Sequence, residues 1–276
     1  MTLKEAYEYG QEQLNNAGVE EARLDAWYLL EFVTGINRTM YYLRLDEEMN
    51  GEQETSYCEY VATRADHVPL QHITGVQEFM GLEFSVNEHV LVPRQDTEVL
   101  VESILDVLEP GMEILDMCTG SGCILISLLK MSNGVRGMGA DISEGALEIA
   151  KKNAEKIGVD ATFLQSNLFA EVEGQYDVIV SNPPYIPTAL IEELKEEVRF
   201  HDPFIALDGK EDGLYFYRKI IEESPRYLKQ SGKLYFEIGH DQGAAVKHLM
   251  KEAGFAHVTV KKDLAGLDRV VYGVYI

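Results

Sequence analysis

From residue 112 to the C-terminus the sequence alternates short apolar runs with longer amphipathic ones, and few patterns restrict a fold so tightly. The runs MEILDM, VRGMGAD, ATFLQ, YDVIVSN and KLYFEIG are bounded by Gly, Asn or Asp, which predicts strands. Between them lie CILISLLKM and SEGALEIAKKNAEKIG, the second with Ser143 as its cap, and then helices over 212–229, bent at Pro225, and 241–253. Strands alternating with helices predict an α/β fold: a mostly parallel sheet with right-handed crossovers. The last two runs, HVTVKK and RVVYGVYI, lie too close for a helical crossover. They predict a hairpin that brings an antiparallel strand into the sheet.

The preceding third has a different period. Residues 1–75 suggest short amphipathic helices, with Leu3, Ala6, Tyr7 and Leu14 on one stripe and Leu24, Trp27, Tyr28, Leu30 and Val33 on another. Segment 76–92 alternates Phe79, Leu82, Phe84 and Val86 with polar residues and Gly, which predicts a hairpin connector. Asp96 is placed to cap a helix carrying Val99, Leu100, Ile104, Leu105 and Leu108. The expected division is therefore 1–75, 76–92 and 93–276, and a chain of 276 residues is long enough for two domains.

Composition limits the partners. Acidic residues outnumber basic ones 47 to 24, for a net charge of −23. No dense basic run exists to displace the counterions of a nucleic acid, so no stable nucleic-acid binding is expected. Solubility alone accounts for such a charge; a protein partner with a basic surface accounts for it equally. Cys58, Cys118 and Cys123 are odd in number and lack CxxC spacing, so neither a disulfide framework nor a metal site is expected. No segment has the ~18 apolar residues of a membrane span, and MTLKEAYEYG is not a signal peptide, so the expectation is a cytoplasmic monomer without membrane contact.

The chemistry-bearing residues sit where strands end. The first strand of the alternating part runs into Cys118-Thr119-Gly120-Ser121-Gly122, whose glycines permit a turn that a ligand can approach closely. A dinucleotide fingerprint would need a third glycine, and a tight turn without a ligand is the simpler alternative. The second strand ends at Asp141, about 20 residues beyond the loop, where an acid accepts hydrogen bonds from ribose hydroxyls. The competing role is capping the helix that follows. The third strand leads to Asn167 and Leu168, placed either to meet a purine edge and face or to form an ordinary turn.

The fourth strand continues into Asn182-Pro183-Pro184-Tyr185. Two prolines fix φ, lack N–H groups and hold the preceding Asn extended. The Asn182 side-chain oxygen and the Pro183 carbonyl are then set to accept the two hydrogens of a planar NH2, with Tyr185 as a flat wall. An amide nitrogen is a poor nucleophile because its lone pair is delocalised. As it attacks a methyl carbon its hydrogens become more acidic, so two fixed acceptors favour the transition state over the ground state. No strong base is needed, and none is present in the tetrapeptide.

With the glycine loop and Asp141, this tetrapeptide resembles class I S-adenosylmethionine-dependent methyltransferases that modify planar NH2 groups. PLQHITG at 69–75, VLVPRQDTE at 90–98, LDMCTGSG at 115–122, HDPFIALDGKEDGL at 201–214 and DLAGLDRVV at 263–271 narrow the likeness to HemK/PrmC-type release factor N5-glutamine methyltransferases. The resemblance implies a Rossmann-like seven-stranded sheet behind a helical, substrate-docking N-terminal domain. It also implies S-adenosylmethionine as donor (with S-adenosylhomocysteine as product) and the glutamine of a release factor's Gly-Gly-Gln loop as acceptor. A glutamine of a ribosomal protein and an adenine amino group are the alternative acceptors. Carried over by position, Cys118, Thr119, Gly120, Ser121, Gly122, Asp141, Asn167, Leu168 and Asn182 would meet the cofactor, and Asn182, Pro183, Pro184 and Tyr185 the glutamine. Three positions depart from the family's usual residues: Cys118 replaces Gly, Asn167 replaces Asp, and Leu168 replaces an aromatic.

Overall fold

The computed structural model describes all residues from Met1 to Ile276. Its helical N-terminal unit begins with a capping box: Glu5 N–H donates to the Thr2 hydroxyl at 3.2 Å, and Thr2 N–H to the Glu5 carboxylate at 2.9 Å. This start fixes α1 (Leu3–Asn16) so that Leu3, Ala6, Gly10 and Leu14 are buried. α2 (Ala22–Thr34) and α4 (Gly51–Ala65) pack on it, with the short α3 (Arg38–Leu43) and α5 (Leu70–Thr74).

The expected stripe on α2 is only partly correct. Trp27 and Leu30 are buried, but Leu24 and Tyr28 are 37% and 44% exposed. The inward face runs through Ala22, Asp25, Ala26 and Leu29, at the three- and four-residue spacing of a helix. Asp25 conceals that face in the sequence. It is buried because Arg64 Nε donates to its Oδ2 at 2.7 Å. Arg64 also donates to Glu197 at 2.9 Å. Residues Lys195–His201, which contain α9 (Glu196–His201), accordingly fold with Met1–Gly75 as one compact unit.

The second unit comprises Val76–Leu194 and Asp202–Ile276. It opens with the antiparallel hairpin of β1 (Val76–Phe79) and β2 (Leu82–Ser85). A 3-10 turn, Gln95–Thr97, then leads into α6 (Glu98–Leu105). Asp96 does not cap this helix: Thr97 holds the cap position without a side-chain bond, and Asp96 lies 3.1 Å from Arg269. A long-range ion pair has taken the carboxylate that local capping would use.

β3 (Glu113–Met117), β4 (Arg136–Asp141), β5 (Thr162–Gln165), β6 (Tyr176–Ser181) and β7 (Leu228–Glu237) form parallel neighbours. β8 (Ala256–Lys262) and β9 (Asp268–Val274) form the closing hairpin, and β9 pairs antiparallel with β7. The seven-stranded order is β5-β4-β3-β6-β7-β9-β8. α7 (Cys123–Met131), α8 (Glu144–Ile157), α10 (Phe204–Leu207), α11 (Tyr215–Glu223) and α12 (Gly243–Glu252) complete the unit. Ser143 caps α8 as expected, accepting Ala146 N–H at 3.2 Å.

α11 is shorter than the predicted 212–229. It stops at Glu223, Pro225 lies in a 3-10 turn over Ser224–Arg226, and β7 starts at Leu228. Pairing decides the boundary: Tyr176 N–H donates to the Tyr227 carbonyl at 2.8 Å, so β6 draws the following residues into the sheet. Both faces of the central strands are covered, as parallel strands require. Leu115, Ile179, Leu234 and Phe236 face one apolar cluster, while Ile114, Val178, Val180 and Tyr235 face the other. Strand order reverses between β3 and β6. The crevice beyond their carboxyl ends is where such sheets take ligands. No helix is long and apolar enough to cross a membrane.

Candidate functional site

Met117 pairs with Ser181 across β3 and β6, and the Ser181 hydroxyl donates to the Met117 carbonyl at 2.6 Å. The next residues, Cys118 and Asn182, therefore leave the sheet side by side. The loop after β3 is tied at several points. Thr119 Oγ1 donates to the buried Asp116 at 2.6 Å, Thr119 N–H to the Ala140 carbonyl at 3.1 Å, and Gly122 N–H to the Thr119 carbonyl at 2.9 Å.

The loop's two glycines serve different ends. A Cβ on Gly120 would meet nothing within 4 Å, but the residue sits at φ +54° with its N–H turned to Asp141. Gly122 sits at φ +78°, and a Cβ there would lie 2.8 Å from Ile126 Cδ1 and 3.2 Å from Ala150 Cβ. It is needed for close packing of loop against helix. Cys118 adopts φ +61°, which explains why glycine suits this position and why the departure carries some strain. Burial pushes the Cys118 thiol well up, so it remains a thiol.

Asp141 does not choose between its two predicted roles by capping. Ser143 caps the helix, while Asp141 Oδ1 accepts Ser143 N–H and Oδ2 accepts Gly120 N–H, each at 2.9 Å. Each oxygen keeps acceptor capacity beyond these bonds. Burial is the main influence on this carboxyl and raises its pKa, against the backbone bonds from Ser143 and Gly120. Leu168 is a second non-glycine residue in the left-handed region, at φ +50°. Its loop is braced by Ser166 Oγ, which donates to the Leu168 carbonyl at 2.6 Å and accepts Glu171 N–H at 3.0 Å.

The tetrapeptide continues beyond β6 outside any helix or strand. Asn182 and Pro184 line the cavity described below; Pro183 is buried, and Tyr185 packs against the apolar cluster of Leu115 and Phe236. Tyr185, from which a flat wall was expected, is not among the residues lining that cavity, whereas Pro184 is. Burial pushes the Tyr185 phenol up to about 12. Its carbonyl accepts Gln242 Nε2 at 2.9 Å, while Gln242 Oε1 accepts Gly239 N–H at 3.0 Å and the Tyr217 hydroxyl at 3.3 Å. One buried amide thus clamps the far end of the tetrapeptide.

These loops surround a cavity of about 350 Å³, within the range of small-molecule sites. Cys118, Thr119, Gly120, Ser121, Asp141, Asn167, Leu168, Asn182 and Pro184 all line it. Of the residues singled out in the sequence, Gly122, Pro183 and Tyr185 do not. Val90, Arg94 and Thr97, together with Ile142, Ile205, Lys210 and Tyr215, also line the cavity, although the sequence pattern assigns them no role. The signal available for some of them was the motifs VLVPRQDTE and HDPFIALDGKEDGL. The fold brings both segments to the cavity, and Arg94 in the first donates to Asp202 in the second at 2.8 Å.

Residues 5–75 match the model of the PrmC N-terminal domain, and residues 94–196 match that of the methyltransferase small domain. The chain is 41% identical over 273 residues to the release factor glutamine methyltransferase of Geobacter sulfurreducens, covering 99% of this chain and 96% of that protein. Against the Moorella thermoacetica protein of the same name the figures are 42% over 275 residues, 98% and 97%. A solved methyltransferase structure from Pyrococcus furiosus shares the fold, with a TM-score of 0.54 at 18% identity over 71% of this chain and 90% of that one. Full-length identity at this level, with both domain models matched, establishes that the chain belongs to the release factor glutamine methyltransferase family.

Proposed function

We propose that this enzyme transfers a methyl group from S-adenosylmethionine to the side-chain amide nitrogen of the glutamine in a release factor's Gly-Gly-Gln loop. The observation that carries this reading is the shared cavity: Asn182 and Pro184 open into the same space as the glycine loop and Asp141. The residues present fit the cofactor. The pinned Asp141 carboxylate offers acceptors to ribose hydroxyls, the loop from Cys118 to Ser121 admits close backbone approach, and Ile142 and Leu168 offer apolar faces to a purine. When bound, S-adenosylmethionine supplies an electrophilic methyl group on a sulfonium sulfur.

The chain's own residues do the rest by position and charge. Asn182 Oδ1 and the Pro183 carbonyl accept the two hydrogens of the glutamine NH2, holding the amide plane and stabilising the positive charge that grows on nitrogen. Fixing the nucleophile in line accounts for roughly 7–11 kcal/mol of the barrier. Tyr185 and Gln242 anchor the tetrapeptide from behind, so its acceptors do not reorganise during the reaction. The excess proton leaves the nitrogen after transfer, to solvent.

A release factor's glutamine is favoured over adenine because the enzyme carries a net charge of −23 and no basic tract for a phosphate backbone. Incubation with cofactor and a release factor, followed by mass spectrometry of the Gly-Gly-Gln peptide, tests the proposal. One added methyl on the glutamine is expected; methyl transfer to adenine in DNA but never to the peptide would overturn it.

A further inference from the structure

Glu237 ends β7, Asp96 precedes α6 and Arg269 lies in β9, and the fold gathers all three beside the tetrapeptide. Strand register sets the key neighbours. Ser181 pairs with Phe236 where β6 and β7 run parallel, so the next residue on each strand is Asn182 and Glu237. Glu237 is 3% exposed, and its Oε2 has no hydrogen-bond partner. The polar side chains facing its carboxyl group are those of Thr97 and Asn182, both of which line the cavity.

A side-chain amide has two unlike ends, and catalysis by Asn182 requires the oxygen to face the substrate. A turned amide would present NH2 to NH2. An ionised carboxylate only accepts, so an amide beside it settles with its NH2 toward the carboxylate and its oxygen away. We propose that Glu237 is a positioning residue that receives the Asn182 NH2 from the interior side and thereby points Asn182 Oδ1 into the cavity. The proposal rests on the assignment of Asn182 as an acceptor for the glutamine amide.

The same geometry makes the orientation sensitive to protonation. A neutral Glu237 gains an O–H donor and no longer requires the Asn182 NH2 to face it. Burial is the dominant influence and pushes the acid up to about 7, partly offset by Thr97, the Arg269 charge and Asn182, while Asp96 adds to the rise. Asp116, which shares the neighbour Cys123 with Glu237, is also pushed up to about 7 by burial, and Glu237→Gln separates the two. Burial raises the phenols of Tyr185 and Tyr217 and the thiol of Cys123, which stay neutral, and Arg269, paired with Asp96 and Asp263, stays charged.

The test compares wild type, Glu237→Leu, Glu237→Gln, Asn182→Ala and the Glu237→Leu/Asn182→Ala pair, measuring kcat and KM on a release factor from pH 6 to 9, with cofactor binding and melting temperature as controls. Glu237→Leu is expected to lower kcat about tenfold or more with KM little changed. The double variant should be no slower than Asn182→Ala, because the two residues act as one unit. Glu237→Gln is neutral at every pH and, like the protonated acid, carries a donor beside its acceptor, so it should hold kcat near the wild type's low-pH level and lose the rise through pH 7. Wild-type kcat in Glu237→Leu, additive losses in the double variant, or an unchanged pH rise in Glu237→Gln would each overturn the proposal. Full turnover by Asn182→Ala would instead remove the acceptor assignment beneath it; an inactive Asn182→Ala with additive Glu237 losses would sink the positioning role alone.

Discussion

Asp141 closes the glycine loop from the neighbouring strand: its Oδ2 accepts Gly120 N–H at 2.9 Å, although the two residues are 21 positions apart. One carboxylate thereby fixes the loop and offers its remaining lone pairs to the cavity. Asp141→Ala should weaken binding of S-adenosylhomocysteine by about 10²-fold, since each hydrogen bond to a charged acceptor contributes roughly 1.5–3 kcal/mol. Calorimetric titration measures this, and unchanged affinity would remove Asp141 from the cofactor site.

Asn182→Ala removes one of two acceptors for the substrate NH2. Turnover should fall ~10²-fold or more while the melting temperature moves little. Steady-state kinetics beside a thermal melt separates this from simple unfolding, which would lower both.

The two glycines of the loop should respond differently to alanine. At Gly120 only the left-handed backbone opposes a side chain, so Gly120→Ala should destabilise by about 1 kcal/mol. At Gly122 the same change drives a methyl to 2.8 Å from Ile126 Cδ1, adding roughly 1–3 kcal/mol of overpacking. Urea unfolding gives the order directly; equal losses would contradict the close packing of α7 on the loop.

Asp116 is fully buried in the centre of the sheet, and burial, outweighing the Thr119 hydroxyl, pushes its acid up to about 7. In the unfolded chain it titrates near an ordinary carboxyl, about 3.9. The folded protein therefore holds the proton more tightly, and stability should fall as pH rises from about 4 to about 7, then level off. Asp116→Asn keeps an acceptor for Thr119 and should flatten part of that fall, by an amount on the order of a few kcal/mol at pH 8. The readout is unfolding free energy against pH for both proteins; parallel curves would show that Asp116 stays ionised.

With 47 acidic residues against 24 basic ones, the enzyme should attract a basic partner surface. Association with a release factor is expected to weaken as salt rises from 50 to about 500 mM, mainly through a slower on-rate. A salt-independent association rate would leave the chemistry standing and remove the steering.

Local rules determined much of this molecule. Strand and helix periods gave the α/β alternation, Ser143 marked a helix start, and the closing runs marked the antiparallel hairpin, because each depends on neighbours within a few residues. The glycine loop, Asp141 and the tetrapeptide were legible for the same reason: turn glycines, a strand-end acid and paired prolines declare their backbone geometry. Tertiary structure decided what distant partners impose. Arg64 buries Asp25 and so turns α2, Arg269 takes Asp96 from its cap, β6 draws Leu228 into the sheet, and packing beyond Asn182 sets Tyr185 against a core cluster and Pro184 in the cavity lining. Glu237 shows the limit best: in sequence it ends an apolar strand, and only parallel register brings it beside the amide it faces.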